Sequence, residues 1–194
     1  MHTTMLRSSW ILRVLLFAVV GSFGCADAPV PPAPTASCTG PRCSCGTGNV
    51  CRCTMDGDCN VACGLTGCSL SCDATAKCNA SGDGPVDITC TAAADCKGHG
   101  GDGSDITCSD TSHCDLKAGD DSTASCEDTA VCKINIGLRG NVQCLGAADC
   151  DIKCDGACVV TCMTTGRCAV NCGADDAGIA AETCADGRVV CGGC

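Results

Sequence analysis

From Cys25 to Cys194 the chain contains no Phe, Trp or Tyr; its aromatic residues are Trp10, Phe17 and Phe23. Large ring side chains usually dominate the energetics of a core, so a packed core of the usual kind is excluded. Basic residues are also scarce. The formal charge is −10, and residues 1–24 hold Arg7 and Arg13 but no acid, so the remainder carries −12. That balance argues against nucleic acid and anionic membrane surfaces as partners. The acids read as a solvated surface that keeps the protein soluble, and a monomer is expected. Histidine is nearly missing as well: beyond His2 there are His99 and His113, which the spacing puts at unrelated coil positions. There is no G-x-S-x-G, and no nucleophile, His and acid stand at a recognised spacing. The expectation is a non-enzymatic protein with no catalytic residue and no cofactor.

What the chain has in excess is cysteine, 27 of 194 residues. At that density covalent cross-links replace the missing core, as in small exported scaffolds. The N-terminus fits export. Arg7 and Arg13 precede the apolar run Val14–Val20, followed by small residues, so residues 1–24 read as a signal peptide. The run is shorter than the roughly 20 apolar residues that span a bilayer.

Two processing sites compete. Ser22-Phe23-Gly24-Cys25 is a loose lipobox, and Ala26-Asp27-Ala28 is an A-x-A pattern with Pro29 just beyond it. Parity favours the first. Cys25 stands apart from every other cysteine spacing, and removing it leaves an even number that pairs completely. Cys25 is therefore the expected lipidation site, and a lipid anchor the only membrane contact. The expected location is the outer membrane or the periplasm-facing envelope, or secretion if Cys25 is not lipidated. Residues 25–37, with Pro29, Pro31, Pro32 and Pro34, read as an extended tether, and residues 38–194 as the Cys-rich repeat domain.

The repeat is regular. Cys72/Cys78, Cys90/Cys96, Cys108/Cys114, Cys126/Cys132, Cys144/Cys150 and Cys162/Cys168 are C-x5-C pairs, each starting 18 residues after the last. Cys53/Cys59 is a seventh pair, one residue out of step. A fixed period of this kind means a solenoid. Segments such as Val86-Asp87-Ile88-Thr89-Cys90 and Cys132-Lys133-Ile134-Asn135-Ile136 alternate apolar and polar residues at period two, which predicts short half-buried strands. Gly82-Asp83-Gly84-Pro85 and Gly119-Asp120-Asp121 supply turns between them. The fold class is therefore all-β: a disulfide-rich β-solenoid (β-helix) of 18-residue coils, about seven to eight of them, with coils stacked at ~4.8 Å. Two coils carry extra cysteines, Cys63/Cys68 and Cys154/Cys158, placed to staple the opposite edge.

Thr89-Cys90-Thr91-Ala92-Ala93-Ala94-Asp95-Cys96 is similar to the T-C-T-x-S-x-x-C repeat of beetle hyperactive antifreeze proteins, disulfide-bridged β-solenoids with a shorter coil. The whole pattern resembles the low-aromatic, cysteine-repeat lipoproteins of myxobacteria and their relatives, a resemblance that implies an envelope location and no particular activity. Stacking geometry leaves bonds within a coil and between coils equally open. Counting separates them, because a column of seven paired vertically strands one thiol, and pairing within the coil agrees with the beetle proteins. The expected bonds are Cys53–Cys59, Cys72–Cys78, Cys90–Cys96, Cys108–Cys114, Cys126–Cys132, Cys144–Cys150 and Cys162–Cys168, with Cys63–Cys68 and Cys154–Cys158 at the far edge. Cys38–Cys43, Cys45–Cys51, Cys184–Cys191 and Cys172–Cys194 complete the set.

The chemistry these residues allow is limited. Cys43-Ser44-Cys45, Cys51-Arg52-Cys53 and Cys191-x2-Cys194 resemble thiolate knuckles for metal, but the dominant x5 spacing favours disulfides. Gly100-Gly101-Asp102-Gly103-Ser104-Asp105 opens like the Ca²⁺-binding nonapeptide of parallel β-rolls, making Asp102 and Asp105 candidate Ca²⁺ ligands; turn chemistry alone also explains them. An ice-binding face needs two hydroxyl columns. Ser71, Thr89, Thr107, Ser125 and Thr161 supply one, while Asp73, Glu127, Leu145 and Met163 break the other. The reading that remains is an exported envelope module for surface display, adhesion or binding, its partner unknown, with a Ca²⁺-binding β-roll or a thiolate metal-binding protein as the alternatives.

Overall fold

The computed structural model describes residues 35–173 and 180–194, which lie within one compact unit, Pro32–Cys194. It is a β-solenoid with no α-helix among the described residues. Within each C-x5-C pair the first cysteine will be called leading and the second trailing. Strands that run into the leading cysteines form a ten-stranded sheet, and strands that run out of the trailing ones form an eight-stranded sheet. Successive coils pair in parallel and in register, so Cys90, Cys108, Cys126 and Cys144 stack in one column and Cys96, Cys114, Cys132 and Cys150 in another.

Alternation fixes the register, because a one-residue slip would turn every buried side chain outward. Two residues before the leading cysteine come Leu70, Ile88, Ile106, Ala124, Val142 and Val160; two after the trailing one come Val61, Ala80, Leu116, Ile134 and Ile152. All are buried. The interior between the sheets is so narrow that sulfur and branched aliphatic side chains fill it. That accounts physically for the missing aromatics.

The x5 loops are tight turns. In five of them the N–H of a small residue (Ala76, Ala94, Ser112, Ala130 or Ala148) donates to the carbonyl of the residue after the leading cysteine. The residue in between adopts positive φ: Ala74, Ala92, Asp110, Asp128 and Gly146 all lie between 57° and 72°. Positive φ at the first central position is the type II′ pattern.

At the far edge, position +4 from the trailing cysteine faces position −4 from the next leading one. Two coils fill this pair with the bonds Cys63–Cys68 and Cys154–Cys158. Of the coils between them, two set a branched side chain against glycine, Gly82 with Val86 and Ile136 with Gly140, and two pair small residues, Gly100 with Ser104 and Ala118 with Ser122. A Cβ on Gly140 would meet Ile136 Cγ1 at 2.6 Å, and one on Gly82 would meet Val86 Cγ2 at 3.0 Å. The serines form an internal ladder. The Val86 N–H donates to Ser104 Oγ and the Ser104 N–H to Ser122 Oγ, both at 3.0 Å. The extra residue that puts Cys53/Cys59 out of step lies in the first far turn, since Cys63 pairs with Gly82 and Cys68 with Val86.

The ends depart from the repeat. Strands Ser37–Thr39 and Cys43–Cys45 pair antiparallel with Asp58–Cys63 and Val50–Cys53. At the other end Arg188–Cys191 lies antiparallel on Cys158–Thr164, with Ala181–Thr183 beyond it. Reversed strands thus cover both edges of the ten-stranded sheet and the first edge of the eight-stranded one, whose other edge is the strand Cys168–Cys172.

Candidate functional site

Every cysteine from Cys38 to Cys194 is disulfide-bonded. Each leading cysteine is bonded to its own trailing partner, from Cys53–Cys59 to Cys162–Cys168. Cys38–Cys43 and Cys45–Cys51 close the first hairpin. The last two expected pairs are corrected: the bonds are Cys172–Cys191 and Cys184–Cys194, not Cys184–Cys191 and Cys172–Cys194. Register gives the reason. Cys172 stacks on Cys154, and Cys191 arrives antiparallel opposite Cys158. Cys172–Cys191 is thus a third far-edge staple, directly beyond Cys154–Cys158. Disulfides in this number belong to an oxidising, extracytoplasmic environment. Cys25 lies outside the described residues.

Among the described residues, the Cys, His, Asp and Glu side chains near enough to share a metal are three sulfur groups: Cys72/Cys90/Cys96, Cys90/Cys108/Cys114 and Cys154/Cys158/Cys191. All of these sulfurs are in disulfides, and a bridged sulfur has no thiolate to offer. Asp102 and Asp105 are each engaged with the next coil. Asp102 Oδ1 accepts the Asp120 N–H at 2.8 Å, and Asp105 Oδ1 accepts the Thr123 hydroxyl at 2.7 Å. The far turn repeats the first contact, Asp120 Oδ1 accepting the Leu138 N–H at 2.8 Å. These hydrogen bonds require glycine beside them, because a Cβ on Gly137 would meet Asp120 Oδ1 at 2.5 Å. One residue further along the same two turns, Arg139 grips Asp121 with two bonds of 2.6 Å. The hydrogen bonds and charge of Arg139 hold the Asp121 carboxyl below its ordinary range, and Asp121 raises Arg139 in return.

The feature that the residue list alone does not display is the outer face of the eight-stranded sheet. Every lysine of the chain (Lys77, Lys97, Lys117, Lys133 and Lys153) lies on it, at position −1, +1 or +3 from a trailing cysteine. His99 and His113, expected at unrelated coil positions, both stand on this same face in neighbouring strands. Arg167 continues the series just before the last strand, Cys168–Cys172. From Lys77 to Arg167 each coil therefore contributes one permanent cation. The register stacks Lys97, Asp115, Lys133 and Asp151 in one alternating column and His99, Lys117, Asn135, Lys153 and Asn171 in the next, which has no acid.

Two hollows flank the alternating column. A trough of about 1050 Å³ follows the acid-free column, with Gly100, Gly119 and Gly137 along one side. A second, of about 510 Å³, includes Asp95, Lys97, His113 and Arg167. Lys97–Asp95 and Lys133–Asp115 are ion pairs of 3.7 Å between largely exposed groups, which contribute little. Asn135 Oδ1, midway along the trough, is buried and has no hydrogen-bond partner. The outer face of the ten-stranded sheet contrasts with all this, presenting Ser71, Thr89, Asp87, Thr107 and Asp105. The odd offsets of the lysines from the trailing cysteines were the sequence signal for this face.

Fold and bonding together define a disulfide-stapled β-solenoid whose lysines gather on one face, where Asp58, Asp95, Asp115, Asp149 and Asp151 stand among them. The chain matches no family, no curated protein and no solved structure with which it was compared.

Proposed function

We propose that this is an exported, non-enzymatic envelope module, anchored by a lipid on Cys25, whose solenoid presents a side-chain face for adhesion or binding. The observation that carries the reading is the complete pairing of Cys38–Cys194, which leaves Cys25 as the one cysteine outside the pairing scheme. Folding in an oxidising compartment needs export, and an unpaired cysteine right after a signal-like segment suits acylation. A solenoid stapled in every coil is a stiff support on which outward side chains repeat at fixed spacing, and this suits display better than catalysis.

Expression of the full chain in an exporting bacterial host tests the anchor. The wild type should partition into detergent and show an acylated N-terminal Cys25 in its intact mass, while Cys25→Ser should release the protein or stall its processing. A soluble wild-type protein beginning at Asp27 or Pro29 would overturn the anchor.

A further inference from the structure

We infer that Cys191-Gly192-Gly193-Cys194 is a thiol–disulfide exchange site, which takes a dithiol as its substrate at the Cys184–Cys194 bond and passes the exchange inward to Cys172–Cys191. Neither the lipid anchor nor a ligand of the solenoid enters into it.

Access singles out one bridge. Cys194 is the one exposed cysteine among the described residues, and its partner Cys184 is half-buried. Cys191 is only 3% exposed. A thiol from outside therefore meets Cys184–Cys194 first and has no direct approach to Cys191.

Spacing then supplies the reach. Both cysteines of this C-x2-C unit are bonded elsewhere, Cys191 to Cys172 and Cys194 to Cys184, so their own pairing is the alternative. A four-residue turn brings its first and last Cα within about 7 Å, and a disulfide spans roughly 4.4–6.8 Å. Gly192 and Gly193 hold φ of 110° and 102°, a region open to glycine and to few other residues. A Cβ on Gly192 would meet only Ala157, at 3.6 Å, and one on Gly193 would meet nothing within 4 Å. The segment is therefore free to turn. Once released, Cys194 stands beside Cys191 at an effective concentration in the millimolar range, far above that of a micromolar reductant.

Cys191 is also the residue that ties this end to the coils. Residues 181–194 carry one disulfide to the solenoid, Cys172–Cys191, while Cys184–Cys194 is internal to them. Cys191 Sγ lies 3.7 Å from Cys158 Sγ, so the link abuts the staple Cys154–Cys158. Sulfurs of neighbouring x5 bridges approach one another too, but those cysteines are buried.

The dithiol reduces Cys184–Cys194 through a mixed disulfide and leaves as its own disulfide, its two electrons and two protons passing to Cys184 and Cys194. The Cys194 thiolate then attacks Cys191 Sγ. The Cys191–Cys194 bond forms, the Cys172–Cys191 bond breaks, and Cys172 takes up the proton that Cys194 lost, with no net oxidation in this step. The product has no disulfide between the strand Arg188–Cys191 and the coils, and its new bond stays open to further reductant ahead of the stacked bridges. One dithiol is oxidised per chain, so the site is a stoichiometric switch rather than a catalyst.

The test treats the oxidised full chain with a single equivalent of dithiothreitol at micromolar concentration, quenches in acid, alkylates the free thiols and maps tryptic peptides without reduction. Trypsin cuts after Arg167 and Arg188, so in the native pairing residues 189–194 stay attached to residues 168–188 by Cys172–Cys191 and Cys184–Cys194. After exchange, residues 189–194 should come away alone with an internal Cys191–Cys194 bond, and the label should sit on Cys172 and Cys184. Cys184→Ser combined with Cys194→Ser, which removes the outer bridge, should lose the Cys172 label; circular dichroism confirms that this variant is folded. Label confined to Cys184 and Cys194 in the wild type with Cys172–Cys191 intact, or absent from both, would overturn the inference. So would equal labelling of Cys172 in the double variant, because the dithiol would then reach Cys172–Cys191 by itself.

Discussion

Ser112 shows how strictly the coil dictates each position. It occupies a column filled otherwise by Gly57, Ala76, Ala94, Ala130, Ala148 and Gly166, where the turn closes beneath the bridge. The residue is fully buried, like Ala94 and Ala130 on either side, and its Oγ has no hydrogen-bond partner. A buried hydroxyl left unsatisfied costs about 1–3 kcal/mol, and deleting it removes that cost while losing few contacts. Ser112→Ala should therefore raise stability by roughly 1 kcal/mol, read as a higher melting temperature under non-reducing conditions. A lower melting temperature would mean that the hydroxyl has a bound water in solution and belongs to the turn.

At the scale of the element, the far edge behaves as one column with interchangeable fillings. Cys154–Cys158 occupies in its coil the positions that Ile136 and Gly140 occupy in the preceding one. Both pairs are four residues apart, and the stapled pair has a Cα–Cα distance of 6.1 Å, inside the usual range for a bridge. Ile136→Cys with Gly140→Cys should thus form an additional disulfide during oxidative folding. Non-reducing peptide mapping would show it, together with a melting temperature above that of Ile136→Ser with Gly140→Ser. Free thiols at both positions would mean that the coils differ in their far-turn geometry.

The same column explains what was legible beforehand. Alternation in Val86–Cys90 and the glycine-aspartate turns disclosed the strands and coils, because a half-buried strand leaves a period-two trace. Cys172 also stood in step, 18 residues after Cys154. Its partner did not, since Cys191 reaches the column on a reversed strand, and no spacing encodes the height at which a reversed strand docks. The two end hairpins escaped for the same reason. The lysine face was readable from offsets alone, but single lysines at scattered numbers draw no attention until the trailing cysteines are taken as origin.

For the domain as a whole, the balance of forces turns on sulfur. Its apolar interior is thin and built from sulfur and aliphatic side chains, so cross-links have to constrain the unfolded chain where burial falls short. Each C-x5-C bridge closes a short loop, worth roughly 2–3 kcal/mol in the chain-entropy picture. Full reduction should therefore unfold the domain at room temperature, with loss of its β-type circular dichroism. The order of reduction should follow access. Cys184–Cys194 and Cys38–Cys43 lie at the ends and are partly or fully exposed, whereas Cys53, Cys59, Cys90, Cys96 and Cys108 show no exposed surface. A thiolate must reach a sulfur along the bond axis to displace its partner, so the end staples should open first under mild reductant, with the β signal intact. The stacked bridges should then open together in one cooperative step, because exposing any of them requires breaking the coils on both sides. Timed alkylation with peptide mass mapping follows each cysteine through this sequence. Labelling of Cys90 or Cys108 as early as Cys194, or a native β signal that persists after all bridges are reduced, would show that parallel pairing and aliphatic burial hold the solenoid without its staples.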